Sequence, residues 1–299
     1  GKMQLVAKEI KRLEEDGVDL ADFVPVSPVP QAEMQAELAR VVASLTNPWL
    51  KALMDGFCGD AEFMAGYYKA PAAKGMHHVY LGGLLEHSLS VVRLADAVVP
   101  LYPDLNRDLL VVGALLHDVG KVAELSYDRA FEYTDEGRLI GHISIGVEML
   151  SERIAALPGF PRELALLLKH LLLSHHGQYD YGSPKRPKTV EATILHYLDD
   201  MDSKINGIRS HIAKDTPQGS RWTGHHRLYN LYFFTGNGSS GDDEAAELIA
   251  LSEPMAEAAP EPVAPKKEAP KPSRTSFGNQ PFAALQNLSL FGEKESDPF

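Results

Sequence analysis

Leu109-Leu110-Val111-Val112-Gly113-Ala114-Leu115-Leu116-His117-Asp118-Val119-Gly120-Lys121 runs apolar for eight residues and then sets an imidazole beside a carboxylate. Leu109, Val112, Leu115 and Leu116 recur at the three- and four-residue spacing of a helix, so the stretch predicts a buried helix ending on His117 and Asp118. Burying such a pair carries a desolvation penalty of several kcal/mol unless something compensates it. A metal ion is one such compensation, and the rest of the chain repeats the pattern.

His87 lies among Leu81, Leu84, Leu85, Leu89 and Val92. His142 opens a helix predicted over 142–150. His175 and His176 close a helix that Pro161-Arg162-Glu163 opens and Gly177 stops. Asp199, Asp200 and Asp202 fall on a helix predicted over 194–205, introduced by Thr189. A single histidine in a helix is more often a hydrogen-bonded core residue than a ligand. Five helices that each deliver an imidazole or a carboxylate at an apolar stretch suggest convergence on one interior point, as helical bundles build metal sites. The chain has one cysteine, Cys58, which excludes an intrachain disulfide framework and a Cys-rich zinc module. Any metal is therefore expected on histidines and carboxylates.

Nearly everything from Gln31 to Ile212 reads as helix with short connectors, an all-α core. The best strand is Phe131-Glu132-Tyr133, before a turn expected at Asp135-Glu136-Gly137. Gln4–Ile10 reads as a strand fragment with no partner after it. A Pro-, Ala- and Glu-rich linker over 236–281 is expected to be disordered, apart from a short acidic helix over 242–251. Residues 282–299 carry Phe282, Leu285, Leu288, Leu290 and Phe291 in a polar tail. Two readings stay open for that segment, a disordered end and a helical peptide that docks on a partner or on the core. Net charge is −12, and residues 240–299 hold −6 of it, with eleven acidic against five basic residues. That balance argues against a broadly basic nucleic-acid surface. A phosphate substrate would need a local positive site, which a dinuclear metal centre could supply. No membrane span or signal-peptide shape is present, and a cytoplasmic protein is expected.

The order His87 … His117-Asp118 … His142 … His175-His176 … Asp199, carried by the blocks HSLSVV, LLHDVGK, GHISIG and LSHHG, resembles the HD superfamily of phosphohydrolases in its dinuclear form. The resemblance implies an HD helical bundle over residues 73–235, preceded by a helical segment over 14–72. It implies two divalent metal ions bridged by Asp118. His87, His117 and Asp199 would hold one ion, and His142, His175 and His176 the other. Asp202, one turn from Asp199, is the competing acidic ligand or else supports the ligands from behind. The residue types admit Mn, Fe, Co or Mg and exclude little. Such a pair of ions activates a water and stabilises the charge of an in-line displacement. Asp118 and Lys121 are the expected catalytic groups, Lys121 reaching a phosphoryl oxygen. His78 and Arg209 are expected to touch substrate. His196, one turn before Asp199 and Asp200, is expected to hydrogen-bond one of them.

Four further segments resemble the bacterial 3′–5′ exoribonucleases of the YhaM type. They are the run from Met76 to Ser88, Phe131 to His142, Ile194 to Asp199, and Arg221-Trp222-Thr223 with Arg227-Leu228-Tyr229. This implies hydrolysis at the 3′ end of single-stranded RNA, releasing nucleoside 5′-monophosphates, with single-stranded DNA and nucleotides open as substrates. It also implies an OB-fold that binds the strand, of which residues 1–13 look like only the last strand. A nucleotide or cyclic-dinucleotide phosphohydrolase is the alternative. Ser174-His175-His176-Gly177 followed by Tyr181-Gly182-Ser183-Pro184 is similar to the cyclic-di-GMP phosphodiesterase branch but lacks its Gly-Tyr-Pro ending. A non-catalytic HD scaffold is the second alternative. Self-association and a protein partner for the C-terminal peptide stay open.

Overall fold

A computed structural model describes residues 24–75, 77–127 and 130–236. Local capping chemistry starts most of its helices. α1 (Gln31–Ala43) follows Pro30, and α2 (Pro48–Cys58) has proline at its first position behind Asn47, whose side chain accepts from the Trp49 and Leu50 amides. Asp60 caps α3 (Ala61–Lys69) and Asn106 caps α5 (Arg107–Leu116) in the same way. α4 (Gly83–Val98) lies between them in sequence. α6 (Lys121–Glu124) is one turn long. β1 (Leu125–Ser126) and β2 (Glu132–Tyr133) pair antiparallel, Leu125 opposite Tyr133. The turn expected at Asp135-Glu136-Gly137 is a short helix, α7 (Asp135–Leu139). Thr134 caps it, and Asp135 and Glu136 suit its positive N-terminal end.

α8 (His142–Ala155) and α9 (Arg162–Ser174) follow. α10 (Val190–Asp215), capped by Thr189, outruns its predicted span at both ends. Every residue of α5 from Asp108 to Leu116 is buried, as expected of a helix that is apolar all round. It packs against α2, α4, α9 and α10 at the centre of the bundle. One hydrophobic cluster runs from Met34 and Leu38 of α1 through Leu53 and Phe57 of α2 to Leu84, Leu110, Leu150, Leu171 and Leu195. The first three helices therefore share a core with the helices that carry the histidines.

The N-terminal strand fragment, the linker, the acidic helix and the apolar C-terminal peptide lie outside the described residues. Among the described residues, no helix is long and apolar enough to cross a membrane.

Candidate metal centre

Two of the key histidines sit where a helix runs out. His117 follows the last residue of α5, and His175 follows the last residue of α9. The final carbonyls of a helix lack intrahelical partners. Each ring folds back and donates its Nδ1 proton to one, His117 to Ala114 O at 2.9 Å and His175 to Leu172 O at 2.7 Å. His176 Nδ1 donates to Tyr181 O at 2.8 Å. His142, the first residue of α8, gives both its backbone N–H and its Nδ1 to Glu124 Oε1, each at 3.0 Å. His87, in mid α4, gives Nδ1 to Asp202 Oδ2 at 2.7 Å. A carbonyl or carboxylate can only accept, so in all five rings the neutral form carries its proton on Nδ1 and presents a lone pair at Nε2.

The Nε2 atoms of these rings converge. His87 Nε2 lies 3.1 Å from His117 Nε2 and 3.1 Å from Asp199 Oδ1, and His117 Nε2 lies 3.7 Å from the same oxygen. Asp118 stands between this group and a second one. Its Oδ2 is 3.3 Å from His117 Nε2 and 3.7 Å from His87 Nε2, while its Oδ1 is 3.4 Å from both His142 Nε2 and His175 Nε2. Ligand atoms of His87, His117 and Asp199 all lie within 4.8 Å of one another, as do those of Asp118, His142, His175 and His176. Asp118 Oδ1, His142 Nε2 and His175 Nε2 are buried and have no hydrogen-bond partner. Orphaned buried acceptors are rare, and a set of them facing one point fits a cation.

Burial pulls the His87 imidazole down, but hydrogen bonds to Asp199 and Asp202 outweigh it and push its pKa up to about 9. Burial dominates at His175, which is lowered, and at His176, which falls to about 4. Burial would raise the Asp118 carboxyl, yet Lys121 and His117 hold it well below its ordinary range. Lys121 Nζ is 2.5 Å from Asp118 Oδ2 and is itself buried.

The two candidate acids sit on opposite sides of one ring. Asp199 faces His87 Nε2, and Asp202 holds Nδ1 while accepting from Ser90 Oγ at 2.5 Å. His196 bonds neither Asp199 nor Asp200. Its Nδ1 donates to His175 O at 2.8 Å, and its ring packs where a Cβ on Gly177 would come within 2.3 Å, so glycine with φ of +76° is required there. His78 is only 3% exposed, with φ of +47°, its amide bonded to Asn206 Oδ1 and its ring beside His87. It stands behind the His87 ring instead of on an open face. Arg209 is exposed on α10. Gly120 lets α8 rest on the His117–Gly120 turn, since a Cβ there would sit 2.0 Å from the His142 carbonyl oxygen.

The HD domain family model matches residues 84–204. The chain is 42% identical over 209 residues to the 3′-5′ exoribonuclease YhaM of Bacillus subtilis, covering 69% of this chain and 65% of that one. It is 39% identical over 218 residues to the protein of the same name from Geobacillus, with 73% and 66% covered. For the Listeria welshimeri protein it is 41% identical over 220 residues, with 73% and 69% covered. The chain belongs to the YhaM family of HD-domain proteins. It spans about two thirds of the length of these relatives.

One member of this YhaM-family site escaped the sequence reading. Glu124 ends α6, is nearly buried and orients His142, and its carboxyl is held below the ordinary range: burial opposes this, and His142 outweighs it. Outer carboxylates that fix a ligand histidine are a general feature of metal sites. The available signal was an acid one helical turn after Lys121, in a short segment bounded by apolar residues.

Proposed function

We propose that this YhaM-family chain acts in the cytoplasm as a metal-dependent phosphodiesterase on the 3′ end of single-stranded nucleic acid, RNA foremost, releasing nucleoside 5′-monophosphates. The observation that carries the metal chemistry is the shared polarity of the five rings, each with Nδ1 committed and Nε2 turned toward Asp118 and Asp199. The relatives named 3′-5′ exoribonuclease support the substrate.

Two divalent ions, of the Mn, Fe, Co or Mg class, fit the donor set. His87, His117 and Asp199 would hold one, His142, His175 and His176 the other, and Asp118 would turn one oxygen to each. Bound there, such ions supply Lewis acidity toward phosphoryl oxygens and lower the pKa of an attacking water. The chain's own groups prepare the site. Asp202 and Glu124 fix the tautomers of His87 and His142. Lys121 keeps Asp118 ionised with Oδ1 aimed at His142 and His175, and is the group we assign to a non-bridging phosphoryl oxygen.

Protein loaded with Mn is expected to shorten a 5′-labelled single-stranded RNA stepwise from its 3′ end and to release 5′-monophosphates, while His117→Ala does neither. An intact substrate with metal bound, or equal activity in His117→Ala, would overturn the reading. Nucleotides and cyclic dinucleotides in the same panel reveal whether a smaller phosphoester is the true substrate.

A further inference from the structure

Beyond α10 the chain folds into an antiparallel ribbon that takes no part in the metal centre. Trp222 bridges to Phe234 and His226 to Leu231. Backbone bonds from Thr223 N to Phe233 O, His226 N to Leu231 O and Thr235 N to Arg221 O tie its two arms together, each at 2.9–3.0 Å. Two bonds fix it to the end of α10. His211 Nε2 donates to Gly224 O at 3.0 Å, and Gly224 N donates to Asp215 O at 2.8 Å.

Side chains alternate across the arms as they do in any strand. On the inner face Thr223 is buried, and the Phe233 ring lies 6.0 Å from those of His211 and His226 and 5.9 Å from that of Tyr229. The outer face shows Trp222, Tyr232 and Phe234, which are 53%, 58% and 50% exposed. These rings are already arranged. Trp222 and Phe234 lie 5.1 Å apart centre to centre, the Arg221 guanidinium stands 4.7 Å over Phe234, and His225 lies 5.2 Å from Tyr232. With the inner face filled, three large rings outside it add little to the core, and exposed patches of this kind mark interaction sites.

Charge distinguishes the partner. From Thr216 to Gly236 the sequence has two arginines, two histidines and no aspartate or glutamate, in a chain of net charge −12. Both arginines, Arg221 and Arg227, are exposed. Flat rings set among guanidinium groups suit a partner that is anionic and planar at once, which describes an unpaired nucleic-acid strand. We infer that Arg221, Trp222, Tyr232 and Phe234 form a stacking platform for single-stranded nucleic acid, with the arginine charges meeting its phosphates. Asp199 and His211 lie twelve positions apart on α10, roughly 18 Å along its axis. The platform therefore takes nucleotides some way 5′ of the one at the metal centre. The inference rests on the proposed function and adds to it a strand contact outside the ligand set.

The test measures binding by fluorescence anisotropy with the full, metal-loaded chain. Its probes are 5′-labelled dodecamers of U or dT, protected from hydrolysis by 3′-terminal phosphorothioate linkages, and an abasic dodecamer. Trp222→Ala is expected to raise Kd by roughly 5- to 150-fold, the loss of about one stacked base. Trp222→Tyr keeps a ring and should recover most of the affinity. Leu228→Ala removes exposed apolar area from the turn of the ribbon, outside the stack, and should bind as wild type does. On the abasic strand wild type and Trp222→Ala should converge.

Equal Kd for wild type and Trp222→Ala on the base-bearing strands would overturn the inference. So would an equal loss in Leu228→Ala. A smaller assembly of Trp222→Ala in sedimentation, with strand binding unchanged, would overturn it too and mark the rings as a contact between copies. Trp222-dependent binding by a wild type that leaves unprotected strands intact would keep the platform and remove the exonuclease reading instead. Hydrolysis with Trp222-independent binding would do the reverse.

Discussion

α5 has a buried aspartate at each end, and the two are satisfied in opposite ways. Asp108, in its first turn, is 6% exposed, and Asp118, just past its last residue, is 2% exposed. Asp108 Oδ2 accepts from the Thr46 amide at 2.7 Å, the Thr46 hydroxyl at 2.8 Å and the Asn47 amide at 2.7 Å. Neutral donors of the chain itself surround that oxygen, and the contact ties the start of α2 to the start of α5. Asp118 has Lys121 on one oxygen and, 3.4 Å from the other, two imidazole nitrogens that carry lone pairs. The first arrangement is complete within the chain. The second leaves Oδ1 buried and without a hydrogen-bond partner. One helix thus separates a carboxylate that serves the fold from one that serves the site, and substitutions should separate them too.

The largest effect is expected at Asp118. Asp118→Asn keeps the shape and the Lys121 contact but removes the charge that lies between the two groups of candidate ligands. Activity on a labelled oligonucleotide should fall more than about 100-fold, beyond the ~10–100-fold carried by residues that merely orient a ligand. Bound metal should fall with it, while circular dichroism keeps its helical form. A fully active Asp118→Asn would erase the contrast between the two ends of the helix.

Next come the two carboxylates that orient the rings. Asp202→Ala frees His87 Nδ1, and Glu124→Ala frees His142 Nδ1. Each should lose roughly 10–100-fold in metal affinity or activity. The losses should fall on different ions, so metal analysis at limiting Mn is expected to show each variant keeping the ion of the other half. Simultaneous loss of both ions in either variant would mean that the halves do not bind independently.

Much of this candidate site was legible because most of the proposed ligands lie within, or just past the end of, a helix that must be buried. His117-Asp118 and His175-His176 are polar pairs at the close of runs that must be buried, and the helical period places Asp199 and Asp202 one turn apart. What escaped depends on contacts between distant segments. Glu124 meets His142, eighteen positions further on, only because β1, β2 and α7 fold the chain back between them. His78 looks like an entry residue by its place before α4, yet its positive φ turns it into the bundle beneath His87. His196 shares a helix face with Asp199 and Asp200, but the carbonyl of His175, just past the end of α9, claims its proton. The Asp135 turn is a different case, since Thr134 followed by two acids was a readable helix start.

The smallest effect lies at Asp108, and it should appear in stability with activity per folded molecule unchanged. Burial would raise its pKa, but the Asn47 amide, the Thr46 hydroxyl and amide and the Arg107 charge outweigh it and hold the carboxyl below its ordinary value. A carboxylate with a depressed folded-state pKa contributes stability that is fully present above the unfolded value, about 3.9. That contribution is lost as pH falls through the folded-state value. Asp108→Asn leaves an oxygen to accept but removes the charge, so the expected loss at neutral pH is about 1–3 kcal/mol. For a domain of this size, each kcal/mol lowers Tm by roughly 2–4 °C. The difference in Tm between wild type and variant should stay constant from pH 7 to about 5 and narrow below about 4, where wild type surrenders the same interaction. A gap that persists unchanged into acid would show that packing around Thr46, and not the carboxylate charge, holds the start of α5.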